Sequence, residues 1–137
     1  MKSKWLFIGL LFLATLAYAT KQTKKVPEKA KQTLQKLYPS VNDVKWDNED
    51  GEWEAEFKQN ATDMAVTFDL SGNLKETEEG CAVGKLPQPV RDYIAAHFAG
   101  KQIKESAKIT EAGGRIKYEA EIEGKDYLFD AEGKPIK

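Results

Sequence analysis

The sequence predicts an α+β fold in which two tandem repeats, each a helix followed by antiparallel strands, form one antiparallel sheet with both helices on one face. Residues 53–57 read Trp-Glu-Ala-Glu-Phe and residues 118–122 read Tyr-Glu-Ala-Glu-Ile. Each of these segments is followed by a polar turn and then by a Phe-Asp-x-x-Gly segment, at 68–72 or 129–133. A helical apolar pattern that opens with Pro27 returns sixty residues later. Two repeats of one helix-plus-strand unit therefore account for the chain.

The repeated segments have the period of two that is typical of a strand with one buried face. In residues 53–57 the aromatic and apolar side chains alternate with Glu54 and Glu56, and residues 118–122 alternate in the same way. Each segment is expected to pair with the next strand across a polar turn, which gives a hairpin with one apolar and one charged face. The side chains predicted to face the helices are Trp53, Phe68, Tyr118 and Phe129.

Two helices are predicted from apolar residues at helical spacing. The first begins near Pro27, where a missing N–H costs nothing, and ends before Pro39; the second begins at Pro87 and ends at Gly100. The first apolar face holds Val26, Ala30, Leu34, Leu37 and Tyr38, and the second holds Val90, Ile94 and Phe98. The predicted strands cover residues 44–46, 52–58, 64–70, 74–79, 103–110, 115–123 and 126–130, followed by a short terminal strand. Residues 74–79 are polar enough to indicate a position near a sheet edge.

The N-terminus has the features of a secretory signal peptide. Lys2 and Lys4 precede an apolar run, and residues 17–19 read Ala-Tyr-Ala, an A-x-A cleavage signature. The run is shorter than the roughly twenty residues that span a bilayer. We predict a signal peptide at 1–19, a flexible leader at 20–25, and a single domain at 26–137 built from repeats 26–80 and 86–137. The protein is expected to be periplasmic or secreted, with no membrane anchor after cleavage.

Composition excludes several classes of partner and chemistry. Without Lys2 and Lys4, 19 basic residues face 22 acidic ones, a net charge of −3 that favours solubility and gives no nucleic-acid footprint. Cys81 is the single cysteine, so the domain relies on its core, and we expect Cys81 to be a small buried residue that reacts slowly.

With these residues in place, the chain resembles the PepSY-like proteins, small exported bacterial proteins common in Bacteroidetes and described as similar to a beta-lactamase inhibitor in fold. The resemblance rests on the two Pro-initiated helices and the repeated hairpin and Phe-Asp-x-x-Gly segments, and it covers nearly all of the mature chain. The second repeat departs from the pattern where the first has Trp46, since it offers Glu105 or Ser106. The resemblance implies export, tandem repeats, and protein binding or peptidase inhibition, with no catalytic residue to carry over.

Motifs for catalysis or metal binding are weak. His97 is the single histidine and is expected to be an ordinary helix residue, so neither a catalytic triad nor a zinc site is predicted. The acidic turn at 47–52 does not fit the calcium loop of an EF-hand, since Trp46 and Phe57 would fall on ligand positions. The paired glutamates could act as acid and base, as in glycosidases, but they also fit the solvated face of a hairpin. No cofactor and no metal are predicted.

Two functions remain open. The first is a non-enzymatic binding module that uses the uncovered sheet face or its loops to bind an envelope or extracellular protein. The second is a small-ligand pocket protein or hydrolase-type enzyme, with its site between the helices and the sheet. The uncovered face is predicted to be of mixed charge, which favours electrostatic selectivity. The residues predicted to contact a partner are Lys45, Glu54, Glu56, Thr67, Asp69, Lys104, Lys117, Glu119 and Glu121.

Overall fold

The computed structural model describes residues 25–136. The predicted signal peptide at 1–19 and most of the predicted leader lie outside the described residues. The described chain forms two α-helices and eight strands, with a short 3₁₀ helix at Val83–Lys85. In chain order the elements are α1 (Glu28–Leu37), β1 (Lys45–Glu49), β2 (Glu52–Gln59), β3 (Thr62–Asp69), β4 (Leu74–Gly80), α2 (Gln88–His97), β5 (Ile103–Glu111), β6 (Ile116–Ile122), β7 (Lys125–Phe129) and β8 (Pro135–Ile136).

The eight strands form one antiparallel sheet in which every strand lies beside its neighbour in the chain. The 3₁₀ helix and α2 lie between β4 and β5 in the chain, yet these two strands pair directly, with Glu76 opposite Glu111 and Gly80 opposite Ala107. The sheet is therefore continuous across the two repeats, which confirms the predicted α+β class and the single antiparallel sheet.

Each helix has its own apolar cluster against the sheet. Ala30 and Leu34 of α1 pack with buried residues of β2 and β3, and Val90 and Ile94 of α2 pack with buried residues of β6 and β7. The sheet residues of the first cluster are Trp53, Ala55, Phe57, Met64, Val66 and Phe68; those of the second are Ala120, Ile122 and Phe129. Burial of this apolar surface is the main source of stability.

The predicted helix-facing aromatic residues are confirmed. Phe68 and Phe129 are completely buried, Trp53 is 6% exposed, and Tyr118 is half-buried against the second cluster. Leu37 was also predicted on the apolar face of the first helix, and that part is wrong, because it is 47% exposed; Leu70, at the end of the predicted strand 64–70, is likewise 51% exposed. Both lie at the ends of their elements, where the chain turns away from the core.

The repeated Phe-Asp-x-x-Gly segment is a turn that seats against the start of a helix. The carboxylate of Asp69 accepts hydrogen bonds from the backbone N–H groups of Ser71 and Asn73, at 2.8 and 2.9 Å. Gly72 has φ +83°, and a Cβ there would lie 2.8 Å from the backbone nitrogen of Ala30. Glycine is required because the backbone both turns left-handed and approaches the helix closely.

Two further details differ from the sequence-based expectation. β1 continues to Glu49, so the turn is restricted to Asp50 and Gly51, which have φ values of +51° and +81°. A strand near the sheet edge was expected at 74–79, and this is wrong: β4 lies in the interior between β3 and β5. Its polar sequence reflects a charged face rather than an edge.

Candidate functional site

The candidate site lies on the face of the sheet opposite the helices, which we call the open face. The strand register aligns its residues in rows. In one row Lys45 lies opposite Glu56, and the row continues through Ala65 to Glu78. In the next row Glu54, Thr67 and Glu76 are neighbours. The charged residues of this face include Lys45, Asp47, Glu49, Glu52, Glu54, Glu56, Lys58, Asp63, Glu76, Glu78, Glu105, Glu111, Lys117, Glu119, Glu121 and Asp126.

The open face is strongly acidic, and several of its charged side chains are buried. Glu119 is 4% exposed, Glu78 is 5% exposed and Lys117 is 7% exposed. Glu76 and Glu121 are also buried, as are the small or apolar residues Ala65, Ala107 and Ile109 that lie between them. Taking a carboxylate out of water is costly unless a cation or a proton compensates. The buried carboxylates of this face therefore carry a desolvation cost that fully hydrated surface carboxylates do not.

Lys117 is the buried cation of the open face. Its Nζ lies 3.4 Å from Oε2 of Glu76 and 2.8 Å from Oε1 of Glu111. Burial acts to lower the pKa of Lys117, but the hydrogen bond to Glu111 and the charge of Glu76 outweigh it, and the pKa is raised. Lys117 is therefore held charged, and it links β4, β5 and β6 on this face.

Other lysines pair with carboxylates toward the rim. Nζ of Lys45 lies 2.9 Å from Oε2 of Glu56, and Nζ of Lys104 lies 3.5 Å from Oε1 of Glu121. Both lysines are mostly exposed, so these pairs contribute little to stability. They do orient the carboxylates on their partner strands.

Glu54 is a half-buried carboxyl group of the open face whose pKa is strongly raised. Burial, the negative charges of Glu56 and Glu78, and a hydrogen bond with Glu56 raise the pKa of Glu54 from 4.5 to about 7. Among the described residues, no lysine forms an ion pair with Glu54. Its carboxyl group therefore carries a proton for much of the time at neutral pH.

A second acidic group lies at the other end of the open face. Glu105 is opposite Glu121 on β6, and Glu121 is opposite Asp126 on β7. Burial and the charge of Glu121 raise the pKa of Glu105, although Lys104 opposes the shift. Burial, with Glu121 and then Glu105, raises the pKa of Asp126. Crowded carboxylates thus occur in both repeats.

A hollow of about 370 Å³ opens where the two repeats meet. It lies between the carboxylates around Glu54 in the first repeat and those around Glu121 in the second. Four carboxylates line it, those of Asp63, Glu78, Glu105 and Glu119, with Lys104 beside them. The remaining lining residues come from the β2–β3 turn, the chain after β4, and β5: Ala61, Thr62, Gly80, Cys81, Ala82, Ser106 and Ala107. The hollow is a place where a positively charged group would meet several carboxylates at once.

Most of the residues predicted from the sequence to contact a partner lie on the open face. Glu54, Glu56, Lys117, Glu119 and Glu121 fall within its acidic groups. Lys45, Thr67 and Lys104 lie beside them. Asp69 differs from the rest, because its side chain forms the turn between β3 and β4, where hydrogen bonds from Asn73 lower its pKa.

The sequence-based reasoning missed much of the acidic character. Glu76, Glu78, Glu105 and Asp126 were not among the predicted contacts, so the face was expected to be of mixed charge. Glu76 and Glu78 are spaced by two residues, the period of a strand, and this signal was available in the sequence. It was overlooked because no large apolar residue alternates with them to mark the strand as interior.

The other chemical candidates are placed differently. His97 is an exposed residue of α2 whose ring stacks on Tyr93 at 3.9 Å, with Nδ1 2.9 Å from the Tyr93 carbonyl oxygen. Cys81 is half-buried rather than fully buried, and its Sγ lies 3.8 Å from Oγ of Ser106. In residues 25–136 no group of three or more His, Cys, Asp or Glu side chains has the arrangement to hold a metal ion.

The expected pocket between the helices and the sheet differs from the acidic hollow. A hollow of about 310 Å³ does lie between α1 and β1, lined by residues that include Leu34, Tyr38 and Trp46. Its lining contains no carboxylate. The convergent acidic groups are on the opposite side of the sheet.

Comparison with solved structures identifies the same fold in three Bacteroides proteins. A Bacteroides eggerthii protein, provisionally described as periplasmic, is 18% identical with a TM-score of 0.73 over 82% of this chain and 87% of that one. A DUF2874 family protein from Bacteroides uniformis is 20% identical with a TM-score of 0.73, over 82% and 88%. A BLIP-like protein from Bacteroides fragilis is 19% identical with a TM-score of 0.64, over 82% and 85%. These likenesses establish the fold alone.

At the sequence level, a search of curated proteins gives no significant match. The profile of the PepSY-like family, provisionally described as beta-lactamase-inhibitor-like, matches the chain twice, at residues 18–76 and 51–137. Two matches are consistent with two tandem repeats. Because they span nearly the whole chain, the protein belongs to the PepSY-like, beta-lactamase-inhibitor-like family.

Proposed function

We propose that this protein is a non-enzymatic, exported binding module whose open face holds a positively charged segment of another protein of the cell envelope or the extracellular space. The observation that carries this proposal is the set of crowded, partly dehydrated carboxylates on the open face. Glu76, Glu78, Glu119 and Glu121 are each less than a tenth exposed, and within residues 25–136 Lys117 is the buried cation of this face. A lysine or arginine side chain from a partner would interact with several of these carboxylates at once.

The energetics favour a cationic partner over an apolar one. Water screens exposed carboxylates, but those of the open face are shielded by their neighbours and interact through a lower effective dielectric. A positive charge of the partner therefore gains more electrostatic interaction free energy here than at a fully hydrated surface. The acidic field also increases the rate of association. Binding should therefore weaken as ionic strength rises.

Export is supported by two features. The N-terminal sequence has the signal-peptide pattern, and solved structures of the same fold include a protein provisionally described as periplasmic. Within residues 25–136 no helix has the length and apolar character to cross a membrane. From the signal-peptide pattern and the likeness of fold, we infer that the mature protein is periplasmic or secreted.

A second candidate function is favoured by the acidic hollow. Its volume of about 370 Å³ falls within the range of small-molecule sites, roughly 300–1,000 Å³. Asp63, Glu78, Glu105 and Glu119 would select a small organic cation such as a polyamine. An enzyme using Glu54 as a general acid belongs to the same alternative, because a carboxyl pKa near neutrality suits proton transfer.

Calorimetric titration with an oligolysine peptide, an oligoglutamate peptide and spermine tests the proposal. We expect oligolysine to bind more tightly than spermine, oligoglutamate not to bind, and affinity to fall at least tenfold between about 0.02 M and 0.3 M salt. The double variant Glu56→Lys and Glu105→Lys reverses two half-buried open-face charges and should abolish binding.

The matched control is Glu79→Lys with Glu132→Lys, which makes the same change in net charge at two exposed positions. Glu79 lies on the helix side of β4, and Glu132 lies in the turn before β8. The control should keep most of the affinity. Equal loss in both double variants would show that net charge alone attracts the peptide, and tighter binding of spermine would favour the small-ligand candidate.

A further inference from the structure

We propose that Glu54 and Glu56 share one proton in the unbound protein at neutral pH, so that the negative charge of the open face, and with it the hold on a cation, changes within the neutral range. The link to a cationic partner rests on the proposed function. The shared proton is a property of the protein alone and can be measured without any partner.

The geometry begins with two carboxyl groups on one strand. Glu54 and Glu56 are two residues apart on β2, so both side chains lie on the open face. A hydrogen bond between the two carboxyl groups contributes to the raised pKa of Glu54, and such a bond requires that one of the two groups is protonated.

Small residues on β3 let the next carboxylates act on this pair. Thr67 is opposite Glu54 and separates it from Glu76, while Ala65 is opposite Glu56 and separates it from Glu78. Four glutamates thus stand at the corners of a patch three strands wide, with only short side chains between them. Because Glu78 is buried, its charge is poorly screened across this patch, and it contributes to the raised pKa of Glu54.

The lysines near the patch are already engaged. Lys45 pairs with Glu56, Lys75 pairs with Glu52, and Lys117 pairs with both Glu76 and Glu111. Asp47 on β1 lies opposite Glu54 and adds a further negative charge. A proton is then the smallest cation that can relieve the repulsion at Glu54.

The acidity of Glu54 agrees with this geometry. Burial, followed by the charges of Glu56 and Glu78, the hydrogen bond to Glu56 and the charge of Asp47, raises the pKa of Glu54 to about 7. A group with this pKa is half protonated near neutrality. Small changes in the pH of the surroundings, or in nearby charge, therefore move the proton on or off.

A cation that docks on the open face would lower the pKa of Glu54, and the proton would pass to bulk water. One cation gained and up to one proton lost is the expected balance. Affinity for a cation should then rise as pH increases through about 7 and should level off once Glu54 is fully ionised. Below that range the proton competes with the partner.

Side-chain ¹³C NMR of glutamate-labelled protein measures the proton directly. We expect the Glu54 carboxyl resonance to titrate near pH 7, and its midpoint to move to lower pH in Glu56→Gln, because the charge and the carboxylate acceptor of Glu56 are removed. Glu79→Gln makes the same substitution on the helix side of the sheet and should leave the midpoint unchanged. A Glu54 midpoint in the ordinary range, about 4.3, would overturn the inference.

Calorimetry of oligolysine binding near pH 7, in two buffers with different ionisation heats, then tests the coupling. We expect release of a fraction of a proton per peptide in the parent and none attributable to this site in Glu54→Gln. Binding with no proton release would contradict the coupling. Failure of the peptide to bind at any pH, with the Glu54 midpoint near 7, would contradict the proposed function and leave the shared proton in place.

Discussion

The two repeats begin alike and end differently. Each Phe-Asp-x-x-Gly turn leads into a last strand, but β4 has seven residues and β8 has two. β4 pairs with β3 on one side and β5 on the other, whereas β8 pairs only with β7 and forms the sheet edge. Pro135 in β8 lacks the N–H needed to continue a ladder. The comparison teaches that backbone pairing with a strand on each side stabilises a strand as charged as β4.

The two repeats also differ in the burial of the glutamate at corresponding positions of their hairpins. By the repeated pattern Glu54 corresponds to Glu119, yet Glu54 is half-buried and Glu119 is 4% exposed. β2 lies beside the five-residue edge strand β1, while β6 lies beside the nine-residue β5. A longer neighbour shields more of the open face. Position in the sheet, rather than local sequence, therefore sets the environment of each carboxyl group.

The largest expected effect sharpens the comparison of the two apolar clusters. Trp53→Ala should reduce the free energy of unfolding by about 3–5 kcal/mol, because a large buried side chain is removed. Tyr118→Ala at the corresponding position should cost less, roughly 1–3 kcal/mol, since Tyr118 is only half-buried. Urea unfolding followed by circular dichroism measures both. Equal losses would show that the two clusters are equivalent despite their different burial.

The next effect compares the two turns that seat against the helices. A Cβ at Gly133 would lie 2.5 Å from the carbonyl oxygen of Pro89, and one at Gly72 would lie 2.8 Å from the Ala30 nitrogen. Gly133→Ala and Gly72→Ala should each cost about 2–3 kcal/mol, with Gly133 the more sensitive. Thermal melting is the measurement. Gly113→Ala is the control, because its Cβ would meet nothing within 4 Å, and a similar loss there would refute the steric explanation.

A smaller effect compares the carboxyl groups of the two faces and depends on pH. The pKa of Glu54 is raised above the ordinary 4.5, so the folded state binds its proton more tightly than the unfolded state does. The stability that this proton provides is present below about pH 4.5 and is lost as pH rises through about 7. After allowance for solvent screening, the loss should be roughly 1–2 kcal/mol.

Glu54→Gln removes the ionisable group and should remove this loss. Above pH 7 the variant is expected to be more stable than the parent, and below pH 4.5 the difference should vanish. Glu79→Gln on the helix side of β4 is the control and should follow the parent at every pH. Chemical denaturation at several pH values makes the comparison. If Glu54→Gln is never more stable than the parent, the raised pKa of Glu54 is wrong.

The sequence was sufficient to predict which hairpin side chains face the helices, because the alternation of apolar and polar residues is a local pattern. Trp53 and Phe68 were placed correctly from the period of two alone. The interior position of β4 was not predictable in this way, because it depends on pairing with β5 across α2, and Glu76 and Glu78 resemble an exposed edge when read locally. The raised pKa of Glu54 depends in part on negative charges of β1 and β4. It could therefore be inferred only once the arrangement of the strands was known.

The measurement that tests the central claim most directly is chemical-shift mapping of the amide resonances during titration with oligolysine at low salt. The account predicts that the largest changes fall on β4, β5 and β6 around Glu78, Glu105 and Glu119, and that they disappear at high salt. Changes confined to α1 and α2, or scattered over exposed carboxylates on both sides of the sheet, would contradict the assignment of the open face as the binding surface.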